Sequence, residues 1–197
     1  VHGPGMFHTN KPVVHPSDLQ GMKIRGGGRM VNELLELAGA TPVGMPVPAV
    51  SEALANGVID GTTIPWEVTP ALKVSELVKN HTEFEGAALY NLTFVLAMNK
   101  DRYESLPDDL KAVIDQNSGL EFSIFAGGTQ ADADGPARQI AVDLGNNIVT
   151  VSEADAEEWR KVVEPVYARW IADMAGRGID GQALIDEARS LMDAYGK

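Results

Sequence analysis

At 197 residues, with 44% hydrophobic residues, no cysteine and a net charge of −12, the chain can bury one or two cores but has no disulfide framework or zinc-thiolate site. Its 16 Lys and Arg residues are scattered among 28 acidic ones, which argues against nucleic acid or an anionic membrane as partner. No apolar run approaches the roughly 18 to 20 residues that span a bilayer, and Val-His-Gly-Pro-Gly at the start is not a secretory leader, so any signal peptide is expected to be already removed.

Residues 1–20, rich in His, Pro and Gly, read as a loop. Residues 22–24 predict a strand ending in Arg25, and Gly26, Gly27 and Gly28 follow. Met30, Leu34, Leu35, Leu37 and Ala38 recur at helical spacing until Gly39, a C-cap residue. The unit repeats in kind: a strand at 41–45, a helix carrying Val50, Ala53 and Leu54 up to Gly57, and a strand at 58–64. Strands alternating with short helices imply βαβ crossovers and a parallel-rich sheet, an α/β fold.

Leu72, Leu77 and Val78 suggest a further helix, and "AALYNLTFVLAM" at 87–98 is the longest strand candidate. From 106 to 145 the pattern is helical, with a bend or break expected near Pro136. A strand at 147–151 precedes Ser152, whose Asp155 makes a variant capping box, and the following helix carries Trp159, Val162, Val163, Val166, Tyr167 and Trp170. A last helix covers 182–195.

Three glycines after a strand suggest a phosphate cradle, but "GGGRM" lacks both the Lys-Ser/Thr of a P-loop and the glycine spacing of a dinucleotide turn. A permissive strand-to-helix turn is the plainer reading. Arg25 then stands out, because open α/β sheets bind ligands at the C-terminal ends of their strands and a guanidinium grips a carboxylate through two parallel hydrogen bonds. On spacing alone it is either a surface arginine or such a clamp. The histidines lack metal-ligand spacing, "QADADGPARQIA" lacks the acids of a calcium loop at both ends, and no Gly-x-Ser-x-Gly elbow, His-Glu-x-x-His or reactive cysteine is present. Neither a cofactor nor a metal is predicted, and the chain does not read as an enzyme.

Together "DLQGMKIR", "AGATPVGMPVPAVSEALANGVIDG" and "NKDRYESLPDDLKAVI" resemble the solute-binding proteins of TRAP transporters, the tripartite ATP-independent periplasmic, DctP-like family often described as C4-dicarboxylate-binding. The resemblance implies a periplasmic binding protein type II-like fold with two α/β lobes and a long connecting helix. Its function would be to close on a small organic acid in the periplasm and hand it to the membrane permease subunits. It also implies that the N-terminal third of such a protein is absent from these residues. By the family pattern, residues 1–88 and 131–197 form the second lobe and residues 89–130 cross back to complete the first. The uncovered first-lobe surface would then be met by dimerisation, by segment exchange through 89–130, or by an N-terminal fragment partner.

Carried over from the family, Arg25 is the carboxylate-gripping arginine. Relatives that bind dicarboxylates or sialic acid often have an arginine where Gly5 stands and an Asn where this chain has Ile64, and the α-keto acid branch has an acidic residue where Thr63 stands. The Phe of the family's Met-x-Phe turn is replaced by Val47 in "MPVP", and Trp66 follows Pro65 beside the implied site. Tyr90 and Asn91 lie where the family's cross-lobe strand passes the ligand. The implied ligand is a monocarboxylate with an apolar or aromatic body. An effector-binding regulatory domain, or an enzyme on a similar two-lobed fold, is the alternative.

Overall fold

The computed structural model describes residues 1–86 and 88–195. Its six strands make one mixed sheet, in the order β3 (Thr41–Pro42), β2 (Lys23–Arg25), β4 (Gly61–Ile64), β1 (Met6–Thr9), β5 (Asn80–Phe84) and β6 (Asn147–Val151). The centre is β1 (Met6–Thr9), which arises within the stretch expected to be a loop. Pro4 and Gly5 before it and Pro12 after it disguise a run of four residues, too short for its pattern to show. All four are buried, since the strand is covered on both faces.

As expected, β2 (Lys23–Arg25) leads into α1 (Arg29–Leu37), which stops before Gly39 at φ +87°. The strand β3 (Thr41–Pro42) is shorter than expected, because Pro42 has no N–H for a ladder and Pro46 soon follows. Next come α2 (Val50–Ala55), β4 (Gly61–Ile64) and the single turn α3 (Val74–Leu77). A strand absent from the sequence reading, β5 (Asn80–Phe84), follows, with His81 and Thr82 buried despite their polarity. Strands β2, β3 and β4 run parallel, as do β5 and β6, but β1 is antiparallel to both its neighbours.

The strand expected at 87–98 is not formed. Residue 87 lies outside the described residues, and 88–98 join the rest through two backbone bonds, His2 N–H to Leu92 C=O (3.2 Å) and Gly5 N–H to Tyr90 C=O (3.0 Å). Apolar composition marks a segment for burial, but a strand also needs a partner edge, and among the described residues no strand lies along it. A short α4 (Lys100–Glu104) precedes the helix expected over 106–145, which is divided into α5 (Asp108–Gln116) and α6 (Gly119–Asp143). The breaks fall at Pro107 and at Gly119, whose φ is +77°, and α6 runs unbroken through Pro136. That proline is exposed, so water can serve the carbonyl it leaves unbonded.

The final elements, β6 (Asn147–Val151), α7 (Glu153–Ala175) and α8 (Gly181–Tyr195), agree with expectation, and Ser152 Oγ accepts the Asp155 N–H at 3.2 Å as an N-cap. Alternation along β1 sends Phe7 into one core and Met6 into another. The first core holds Ile24, Leu34, Leu35, Val151 and Trp159 under α1 and α7. Across the sheet, Ile64 packs with Val50, Leu54 and Val74 of α2 and α3, and Met6 packs with Trp66, Ala137 and Ala141 beneath α6.

Candidate functional site

Parallel β2 and β4 end at the same edge of the sheet, and antiparallel β1 begins there, so Arg25, Thr63 and the residue before Met6 are brought together from distant parts of the chain. Arg25 is 6% exposed. Its Nε donates to the Met45 carbonyl at 3.3 Å, and no carboxylate pairs with it among the described residues. Burial pulls the guanidinium below its ordinary pKa, with Tyr90 opposing that shift. A cation withdrawn from water without a counter-ion is costly, and an arriving anion relieves the cost.

Thr63 is buried and its Oγ1 donates to the Arg25 carbonyl at 3.4 Å. The Tyr90 hydroxyl is also buried and meets no partner with hydrogen-bond geometry. Burial pushes its pKa up to about 12, although Thr63 and Arg25 lie close enough to pull the other way. It is therefore a proton donor throughout the physiological range. Of the three glycines, Gly26 is needed for space, since a Cβ there would collide with Asn32 Oδ1. At Gly27 a Cβ would press on Leu92 Cδ1 at 3.3 Å and meet Arg25 Nη1 at 3.6 Å, so the open room lies at Gly28.

The other expected site residues divide. Val47 is exposed at the start of a 3-10 turn, two residues beyond the carbonyl that Arg25 holds. The Asn91 amide is spent on the His2 carbonyl at 2.9 Å, although its segment stays beside Tyr90. Ile64 and Trp66 are both buried in apolar cores. Thr63 and Ile64 are consecutive on a strand and point to opposite faces, and Ile64 goes into the core of α2 and α3. Trp66 is buried with Met6, its ring centroid 5.0 Å from His8 and 4.9 Å from His81, with Nε1 donating to Glu83 Oε1 at 2.7 Å. The Met45 carbonyl was absent from the sequence reading, and no side-chain pattern announces a backbone acceptor.

A separate hollow of about 500 Å³ lies between Met30 and Leu34 of α1, Leu89 to Leu92, and Val163, Tyr167 and Trp170 of α7. Tyr90 is the wall it shares with the Arg25 edge. Its one cation, Arg29, is already paired with Asp173 at 2.7 Å, so the anion-seeking chemistry belongs to Arg25. Among the described residues no group of His, Cys, Asp and Glu could hold a metal, and no helix is long and apolar enough to cross a membrane.

The family model described as bacterial extracellular solute-binding protein, family 7 (DctP), matches residues 2–173. A TRAP solute-binding protein from Rhodoferax ferrireducens, solved with copurified benzoate, is 45% identical and superposes with a TM-score of 0.94 over 99% of this chain and 62% of its own. A marine metagenome TRAP solute-binding protein specific for aromatic acid ligands, solved with 3-hydroxybenzoate, is 42% identical, with a TM-score of 0.89 over 100% of this chain and 62% of its own. A solute-binding protein of Albidiferax ferrireducens is 27% identical over 80% of this chain and 46% of its own. The chain thus spans about half the length of the curated relatives it matches.

Proposed function

The chain belongs to the bacterial extracellular solute-binding protein family 7, and from that premise we propose that it is the carboxylate-holding part of a periplasmic TRAP solute receptor. The receptor captures an aromatic or otherwise apolar monocarboxylate through Arg25 and delivers it to the membrane permease. In this reading residues 1–88 and 131–197 form one lobe and 89–130 contribute to the other, with closure over the ligand drying the Arg25 edge.

The observation that carries the reading is Arg25 itself, buried, bound to a single carbonyl and without a carboxylate partner among the described residues. Its unused N–H groups can take both oxygens of one carboxylate. Beside it stand only hydroxyls, from Thr63 and Tyr90, so a second carboxylate would enter without a cation to meet it. The benzoate and 3-hydroxybenzoate found in relatives above 40% identity support the same ligand class.

Titration calorimetry with benzoate and succinate tests this. Removing one partner of a desolvated ion pair costs about 2 to 5 kcal/mol, so Arg25→Ala should weaken benzoate binding about 30-fold or more, with Arg25→Lys recovering part. Unchanged affinity in Arg25→Ala, or succinate bound tenfold more tightly than benzoate, would overturn the reading.

A further inference from the structure

Gly5 and Tyr90 fit together in a way that only one residue type permits. The Gly5 N–H donates to the Tyr90 carbonyl at 3.0 Å, and a Cβ on Gly5 would fall inside the Tyr90 ring, against its Cε1 and Cζ. The ring therefore packs against bare backbone at the strand edge where Arg25 ends. Its hydroxyl is buried next to Arg25 and Thr63, and no acceptor of full hydrogen-bond geometry meets it among the described residues.

We propose that Gly5 and Tyr90 are a matched specificity pair: the glycine admits the ring, and the Tyr90 hydroxyl donates a further hydrogen bond to the carboxylate held by Arg25. The inference rests on the carboxylate reading of Arg25 and adds to it a determinant of ligand class. Arg25 spends Nε on Met45, which leaves its terminal N–H groups for the two carboxylate oxygens. Each oxygen has lone pairs to spare, so a neutral donor at the side completes the set without adding charge. The hydroxyl stays protonated, because burial disfavours the phenolate.

The same arrangement sets what is refused. The ring fills the space that any side chain at residue 5 would need, so no second cation can enter from that position. One cation and neutral donors balance one carboxylate, and a dicarboxylate brings an uncompensated charge. A tyrosine kept only for packing would normally lead its hydroxyl to water or to an acceptor. Here, among the described residues, the hydroxyl lies beside Thr63, and the neighbour awaiting an anion is Arg25.

The test uses the purified natural protein, benzoate and succinate as probes, and calorimetry alongside thermal melting. Tyr90→Phe should weaken benzoate about tenfold while leaving the ligand-free melting temperature unchanged or higher, because the stranded hydroxyl is gone. A packing role alone would move the melting temperature and spare the affinity. The double variant Gly5→Arg with Tyr90→Ala should shift the succinate-to-benzoate affinity ratio upward at least tenfold, and Tyr90→Ala alone should not. Benzoate binding that is lost in Arg25→Ala yet unaffected in Tyr90→Phe overturns this inference and leaves the Arg25 reading standing. Benzoate binding indifferent to Arg25→Ala overturns both.

Discussion

His8 and His81 meet at the centre of the sheet with their Nδ1 atoms 2.7 Å apart and neither ring exposed. The surrounding bonds assign the protons. His8 Nε2 must donate to the Ile64 carbonyl at 3.1 Å, so its Nδ1 accepts from His81 Nδ1–H. His81 Nε2 in turn accepts from the Asn146 amide at 2.9 Å. The line works only with both rings neutral. Burial, then the nearness of His81, lowers the His8 pKa to about 3, while burial and Lys79, opposed by Glu83, bring His81 to about 4.

Acid should therefore destabilise the sheet. In the unfolded chain both histidines take protons below about pH 6.5, whereas in the fold they do so only near pH 3 to 4. The stability they confer is complete above pH 6.5 and falls as pH drops toward the folded values, by about 1.4 kcal/mol per unit for each ring. Urea unfolding at pH 7, 6 and 5 measures it. A His8→Phe, His81→Phe double variant should flatten the slope, and an unchanged slope would remove the pair from this account.

Glu83 ties three elements. Its Oε1 accepts from Trp66 Nε1 and from Arg138 Nε, both at 2.7 Å, and its Oε2 accepts from Arg138 Nη2 at 3.1 Å, joining β5 to α6. Glu83→Ala should cost about 2 to 3 kcal/mol, because it strands the buried indole N–H as well as the cation. Arg138 is partly exposed and solvent screens it, so Arg138→Ala should cost about 1 kcal/mol. A double-mutant cycle in denaturant reads the coupling, and additive losses would contradict the shared network.

Trp66 and Thr63 should behave oppositely. Trp66→Phe removes the bond to Glu83 and should lower stability by about 1 to 2 kcal/mol, with benzoate affinity held within about twofold. Thr63→Val keeps the shape but loses the hydroxyl beside Arg25 and Tyr90, and should weaken benzoate severalfold. Calorimetry on the two variants side by side decides it. A large affinity loss in Trp66→Phe would return that residue to the site.

Phe94, Leu96, Phe122 and Phe125 are all exposed and line one hollow with Val1, while Val95, Leu120 and Ile124 are bare nearby. Such a patch seeks cover. These 197 residues, purified alone, should self-associate in light scattering, and Leu96→Glu with Phe125→Glu should disperse them. A monodisperse monomer at high concentration would show that the patch is tolerated.

Elements with repeated local signals were legible in the sequence: α1 between Gly28 and Gly39, β6 as an apolar run after Gly145, and α7 behind its Ser152 cap. By contrast β1 and β5 were hidden, because histidine and threonine score as polar, and here they are buried by the His8–His81 pair across the strands and by Thr9 and Thr82 donating to the Lys11 and Val13 carbonyls. Position at a strand end singled out Arg25. Ile64 and Trp66, named for their nearness to the turn at Pro65, are packed into cores, which adjacency in sequence does not announce. The fit of Gly5 to Tyr90 joins residues without any shared pattern, and only the fold brings it into view.

The place of β1 at the middle of the sheet bears on how the protein assembles in time. His8 must find His81, 73 residues later, and Asn80 must then find Asn147, a further 67 residues along. Loops of that length close at an entropic cost before any contact rewards them, so folding should be slow for a chain of this size. During synthesis β1 stays unpaired on one side until β5 is made, and β5 in turn waits for β6, so this side of the sheet closes only when residue 151 has left the ribosome.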